Sequence, residues 1–280
     1  LPRDLSGEVN PIGGGLDDPT PLGWGYAGAP LVDGERLVCV PGGRQGLLAA
    51  LDKKTGKVIW RSKDVTDQAS YSSPLVVEVG GKRQYIQVTN KGIVGVAAED
   101  GKRLWSYQRA AAYKDVVIAT PVFHDNLVYA TVGFGQGCDL IRLAPGGGGI
   151  AAEKVYSTEE VQSRDGGVVL VGEHLYGYSE KGGWVCQEFK TGKVVWSESA
   201  IGRGSVTFAD GRLYCCAEKG GAVALVEPSP EGWNEKGRFK LPRESKQRRP
   251  SGGLWTHPVV ANGRLYVRDQ ELLFCFDIRK

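Results

Sequence analysis

The sequence predicts an all-β fold, a β-propeller of four-stranded antiparallel blades, on three observations. The first is a turn followed by a tryptophan. Thr55-Gly56-Lys57 with Trp60 returns as Asp100-Gly101-Lys102 with Trp105 and as Thr191-Gly192-Lys193 with Trp196. Trp60 and Trp105 are 45 residues apart, and Trp105 and Trp196 are 91 apart, two periods. The second is a proline marker with the same clock, in Ala29-Pro30-Leu31-Val32, Ser73-Pro74-Leu75-Val76, Thr120-Pro121-Val122-Phe123 and His257-Pro258-Val259-Val260. A shared period in the forties belongs to solenoids and propellers. The third is that the runs inside each period are β in character, rich in Val, Leu, Tyr and Ile, with no stretch of 3.6-residue periodicity. Tandem β-sandwich domains are the alternative, but a sandwich does not repeat one turn and one tryptophan every 45 residues.

Each element follows from these markers. After each proline comes an apolar run, a turn dipeptide and a second apolar run. The dipeptides are Asp33-Gly34, Gly80-Gly81, Asp125-Asn126, Asp210-Gly211 and Asn262-Gly263. Gly and Asn tolerate the positive φ that tight hairpins require. The blades then fall at about 24–68, 69–115, 116–162, 163–202, 203–250 and 251–280, six in all, after a linker or remnant at 1–23. The third and fifth are degenerate. Pro145-Gly146-Gly147-Gly148-Gly149 replaces the turn in one, and Pro228-Ser229-Pro230-Glu231-Gly232 replaces it in the other, where Trp233 falls out of phase.

The last blade stops at its third strand, so an open edge, or one filled from elsewhere, is expected there. Residues 1–23 make a poor strand, with four prolines and the run Gly13-Gly14-Gly15. The expectation is that the parent protein has an N-terminal portion before Leu1 and that these blades are part of a seven- or eight-bladed ring. A self-contained six-blade ring is the alternative.

Composition sets bounds. The chain has 280 residues with 41% hydrophobic content, enough for a sizeable core. Lys and Arg total 35 against 32 acidic residues, a net charge of +3. That leaves no concentrated basic face for nucleic acid. The one basic cluster, Arg243, Lys246, Arg248 and Arg249, reads as a solvated loop between blades, with docking of an anionic partner as the alternative. No apolar run approaches a membrane span. The six cysteines, Cys39, Cys138, Cys186, Cys215, Cys216 and Cys275, form no C-x-x-C pair. Structural zinc and thioredoxin-type chemistry therefore lack support. All six are expected as free thiols, Cys215 and Cys216 on opposite strand faces and the others within blade cores. His124 and His174 sit beside hairpin turns and are expected to be exposed. No G-x-S-x-G or H-E-x-x-H motif is present.

The T-G-K-x-x-W signature with Leu-Asp ahead of it, and the P-[LV]-V-x-x-[DN]-G-x-L-[VY] pattern, resemble the PQQ-like β-propeller repeat family. That family includes the quinoprotein alcohol dehydrogenases and the outer-membrane assembly scaffold BamB. Similarity extends to exported PQQ-like repeat proteins of planctomycete-type bacteria. The resemblance covers residues 24–280 and implies a periplasmic or otherwise exported protein. It raises two functions, since one fold serves both. The favoured one is a non-catalytic binding or assembly scaffold without a cofactor. The other is a PQQ- and calcium-dependent alcohol dehydrogenase completed by missing blades. The dehydrogenase would need a carboxylate base, Ca²⁺ held by oxygen ligands and an aromatic floor for the quinone. Asp165, Asp139, Glu188, Asn126 and Trp184 are isolated candidates that no spacing groups. Some quinoprotein dehydrogenases carry a disulfide between adjacent cysteines, which draws attention to Cys215-Cys216. Relatives carry a His pair where Ser163-Arg164-Asp165 stand, so no metal site is expected there.

The remaining candidate site is the channel mouth, where each innermost strand begins. In-phase blades place Trp24, Tyr26, Tyr71, Arg164, Asp165, Trp255 and His257 around one end of the axis. Aromatics interleaved with charge suit a protein loop or a small ligand. The competing reading packs the aromatics between blades.

Overall fold

The computed structural model describes residues 26–109, 116–146 and 149–279. Trp24 lies outside them. Every regular element in the described residues is a β-strand. The strands form six antiparallel meanders, the blades of a β-propeller, five with four strands and one with three. The chain divides into two compact units, residues 1–157 and 158–280.

The first unit holds three blades. They are β1 to β4 (Leu31–Asp33, Arg36–Cys39, Ala49–Asp52, Val58–Arg61), β5 to β8 (Leu75–Val79, Lys82–Thr89, Gly92–Ala97, Arg103–Gln108) and β9 to β12 (Val122–His124, Leu127–Val132, Gly137–Gly146, Gly149–Thr158). The second unit holds β13 to β16 (Val168–Val171, His174–Ser179, Gly183–Glu188, Val194–Glu198), β17 to β20 (Gly204–Ala209, Arg212–Ala217, Ala222–Glu227, Asn234–Lys240) and β21 to β23 (Val259–Ala261, Arg264–Asp269, Leu272–Asp277).

The hairpin dipeptides adopt the backbone their residues favour. Both residues have positive φ at Gly80-Gly81, Asp125-Asn126, Asp210-Gly211 and Asn262-Gly263. At the first hairpin Asp33 instead pairs with Arg36 inside the ladder, and Gly34 takes the positive φ. The T-G-K turns are built alike: Gly56, Gly101 and Gly192 donate to the carbonyls of Asp52, Ala97 and Glu188. Asp52 Oδ1 also accepts from the Thr55 amide and hydroxyl, while Glu188 Oε2 takes the Thr191 hydroxyl.

The three tryptophans hold equivalent places on outer strands. Trp60 pairs across from Ala50, Trp105 from Gly95 and Trp196 from Cys186, each beside a register shift. The small partner leaves space for the indole. A Cβ on Gly95 would lie 2.1 Å from Trp105 Nε1. The indoles also bind their surroundings. Trp60 donates to Ala98 O of the next blade at 3.1 Å, and Trp196 to Ser229 O at 2.8 Å. Trp105 donates to Gln84 Oε1 in its own blade. The degenerate fifth turn thus still receives the preceding tryptophan, and Trp233 packs on Trp184 with ring centroids 5.5 Å apart.

Strand alternation sends successive side chains to different cores. On β18, Cys215 enters the cluster of Tyr176, Trp184 and Leu213, while Cys216 enters that of Leu254, Leu265 and Val267. All six cysteines are free thiols. Two depart from the expected core placement. Cys39 is half-buried, and Cys275 is exposed on β23, where the Arg264 guanidinium is its hydrogen-bond donor. His124 is exposed as expected, whereas His174 is half-buried against the Tyr176 ring. The basic cluster also departs from its reading. Arg243, Lys246 and Arg249 are exposed, but Arg248 makes a bidentate pair with buried Asp269, both bonds 2.7 Å, and fastens the loop.

Two outcomes test this packing. Trp105→Ala should cost about 3–5 kcal/mol in chemical denaturation. Gly95→Ala should cost about 1–3 kcal/mol alone and far less in the Trp105→Ala background, because the clash is with the indole. Additive costs would mean the seat is not shared. In native thiol titration Cys275 should react at once, and Cys138, Cys186, Cys215 and Cys216 only on unfolding. Burial holds the Cys216 thiol up at about 12 and that of Cys215 well above its ordinary value.

Candidate functional site

In the second unit, the segments that lead into the three innermost strands carry a shared set of charges. Asp165, Arg203 and Trp255 occupy equivalent positions, each three residues before the same point of its blade, at Val168, Val206 and Pro258. Glycine makes their approach possible. A Cβ on Gly166 would lie 2.2 Å from Gly204 O, and one on Gly204 would lie 2.0 Å from Cys216 O. Strands β13 and β17 therefore start closer together than side chains allow, which sets Asp165 beside Arg203.

The charges form a chain of contacts. Arg164 Nε faces both oxygens of Asp165 at 3.2 and 3.3 Å, and its Nη1 is 3.7 Å from Glu180 Oε1. Arg203 Nη1 is 3.9 Å from Asp165 Oδ2, and its Nε is 3.5 Å from Glu218 Oε2. Glu218 Oε1 accepts the Trp255 indole N–H at 2.9 Å. Gly253 permits this contact, since a Cβ there would meet Glu218 Cγ at 2.3 Å. His257 reaches across to the first of these segments. Its Nε2 is 3.2 Å from Asp165 O.

Burial orders this set. Asp165 and Glu218 are nearly closed off, at 13% and 9% side-chain exposure, while Arg203 is 34% exposed and Trp255 is 49% exposed. The most exposed members, which an incoming group meets first, are thus the Trp255 indole and the Arg203 guanidinium, with Asp165 and Glu218 behind them; Arg164 and Glu180 lie between, at 26% and 20%. Burial raises the Asp165 pKa above the usual carboxylate value, against the opposing pull of Arg164. Loss of solvent around the His257 ring, which keeps an open face, lowers its pKa and favours neutral imidazole, although the Asp165 carbonyl and carboxylate act in the other direction.

Of the expected mouth residues, Arg164, Asp165, Trp255 and His257 are brought together in this unit. Trp255 is half-exposed, with its indole N–H on Glu218 of the preceding blade. Tyr26 and Tyr71 belong to the first unit. Tyr26 is exposed and donates its hydroxyl to Pro41 O at 3.1 Å, while Tyr71 is buried. The isolated candidates keep structural company. Buried Asp139 pairs with Arg109 at 3.1 Å. Asn126 and Glu188 are turn residues. The Trp184 ring is buried among Tyr178 and Trp233, with no open face for a quinone. Among the described residues, no three His, Cys, Asp or Glu side chains are grouped to hold a metal ion.

Glu180 and Glu218 are site residues that the mouth pattern missed. A signal was present: they occupy the same place in the matching turns Ser179-Glu180-Lys181-Gly182-Gly183 and Ala217-Glu218-Lys219-Gly220-Gly221.

The profile of a repeat family described as outer membrane protein assembly factor BamB matches residues 20–198 and 140–238. The chain belongs to this family. Solved structures share the family's fold. A computationally designed protein, Ika8, aligns with a TM-score of 0.60 at 11% identity, over 90% of this chain and 70% of that one. The dihydro-heme d1 dehydrogenase NirN, in complex with DHE, aligns at 0.59 and 14% identity, over 89% of this chain and 54% of NirN. BamB from Moraxella catarrhalis aligns at 0.49 and 19% identity, over 90% and 84%. No curated protein sequence matches the chain. A designed protein and a dehydrogenase on one fold leave function to the site.

The raised pKa of Asp165 gives a pH test. The folded state holds this proton more tightly than the unfolded chain. Its contribution to stability therefore falls as pH rises from the ordinary carboxyl value of 3.8 through the folded pKa. Asp165→Asn should remove that loss. Its melting temperature relative to wild type should climb with pH across this window and then level off. A difference independent of pH would mean that Asp165 titrates as an exposed carboxyl.

Proposed function

We propose that this family member is a non-catalytic binding scaffold of the cell envelope, taking a protein partner at the cluster of Trp255, Arg203 and Arg164. The observation that carries this reading is Trp255, half-exposed yet fixed through its indole N–H on Glu218. A large aromatic held in one orientation beside arginine has the make-up of a binding hot spot. Its orientation is set before the partner arrives, so little side-chain entropy is lost on binding. The family's description as an assembly factor supports the same reading. Export and the envelope location rest on that family membership.

The test is affinity capture from an envelope fraction, with each captured protein quantified per folded molecule. Trp255→Ala and Arg164→Ala should each lower capture of a specific partner several-fold while shifting the melting temperature by a few degrees at most. If Trp255→Ala unfolds the protein and leaves capture per folded molecule unchanged, the residue is packing. Dye-linked alcohol oxidation that depends on added PQQ and Ca²⁺ would overturn the scaffold reading.

A further inference from the structure

We propose that Arg203, with Trp255 beside it, is a receptor for a carboxylate carried by an acidic segment of the protein partner. The inference rests on the binding reading above and names the chemistry that this site selects.

Arg203 differs from other arginines that have acidic neighbours. Arg248 holds Asp269 with two bonds of 2.7 Å, and Arg238 holds Glu235 with bonds of 2.8 and 2.7 Å. Arg203 lies between two carboxylates but no closer than 3.5 and 3.9 Å. Its buried Nε makes no hydrogen bond. A planar guanidinium is suited to bidentate recognition of a carboxylate. Here the Nη groups, not the buried Nε, are the donors left for a ligand.

The neighbouring acids do not depend on Arg203. Glu218 keeps the Trp255 N–H at 2.9 Å, and Asp165 keeps Arg164 at 3.2 Å. Arg203 can turn its donors to a ligand without leaving either carboxylate unpartnered, which is the costly outcome for a buried charge. The order of exposure fixes the sign of the ligand. An arriving ammonium would meet guanidinium and indole, with Asp165 and Glu218 screened behind them. An arriving carboxylate meets donors, and the Trp255 ring covers the apolar part of its side chain.

The experiment uses the full chain and two fluorescein-labelled, C-terminally amidated peptides, one alternating Glu and Gly and the other Lys and Gly, read by anisotropy. The Glu peptide should bind and the Lys peptide should not. Arg203→Gln should weaken the Glu peptide about 10- to 100-fold, the range for a charge-assisted pair, with the melting temperature unchanged. Arg203→Lys, which keeps the charge but not the fork, should fall between and serves if the Gln variant folds poorly. Arg243→Gln, which removes an exposed cation of the 241–250 loop, should change nothing. The inference is overturned if the Glu peptide does not bind, if Arg203→Gln leaves its affinity intact, or if the Lys peptide binds as tightly. Trp255-dependent capture of a partner that ignores Arg203 would leave the scaffold reading standing and remove only the carboxylate. PQQ-dependent turnover would remove the scaffold reading whatever the peptides do.

Discussion

A four-stranded sheet buried on both faces needs two neighbours, and this protein meets that need with an indole seated where two blades meet. Trp60 lies across from Ala50 in its own blade, donates to Ala98 O of the next, and rests where a Cβ on Gly101 would come within 2.5 Å of its ring. One side chain thus fixes the register shift of its own outer strand and the position of the adjacent turn. Trp196 repeats the bond across to the following blade at Ser229. Between these seats, alternate residues of each strand fill separate cores, as Cys215 and Cys216 do.

The same demand sets the requirement for glycine. Blades that pack face to face bring the beginnings of their inner strands within van der Waals contact of one another. At Gly166 even a methyl group has no room against Gly204 O of the next blade, and at Gly204 the obstacle is Cys216 O of the paired strand in its own blade. The chain accepts the entropic cost of glycine there, and the residue next to it in each segment, Asp165 or Arg203, is held against its counterpart. The charged cluster is therefore a consequence of blade packing as much as of charge attraction. Its long ion-pair distances fit that origin, because the backbone, and not the pair, decides the separation.

Burial then separates the roles of these charges. Carboxylates pressed against the protein lose solvent, and Asp165 accordingly holds its proton more readily than an exposed acid. Arg203 and the Trp255 ring are the more exposed members. An arrangement with acids behind and donors in front orients arginine without exhausting it, which distinguishes Arg203 from Arg248, whose bidentate pair with Asp269 anchors a loop.

Sequence alone determined the fold class and the phase of the blades. Turn dipeptides act through local φ preference, and the 45-residue spacing of Trp60 and Trp105 is a one-dimensional signal. Both survive without any knowledge of neighbours. It also placed Arg164, Asp165, Trp255 and His257 at matching starts of inner strands. Tertiary structure alone decided what those residues do. Tyr71 and Trp255 occupy the same repeat position, yet one is buried and the other half-exposed, because exposure depends on what packs against each. Arg248 looked like one more surface cation until Asp269, 21 residues on, was brought against it. Glu218 joined the site only through Trp255, 37 residues away. Periodicity reports which positions are equivalent; it carries no record of which neighbour fills the space around each.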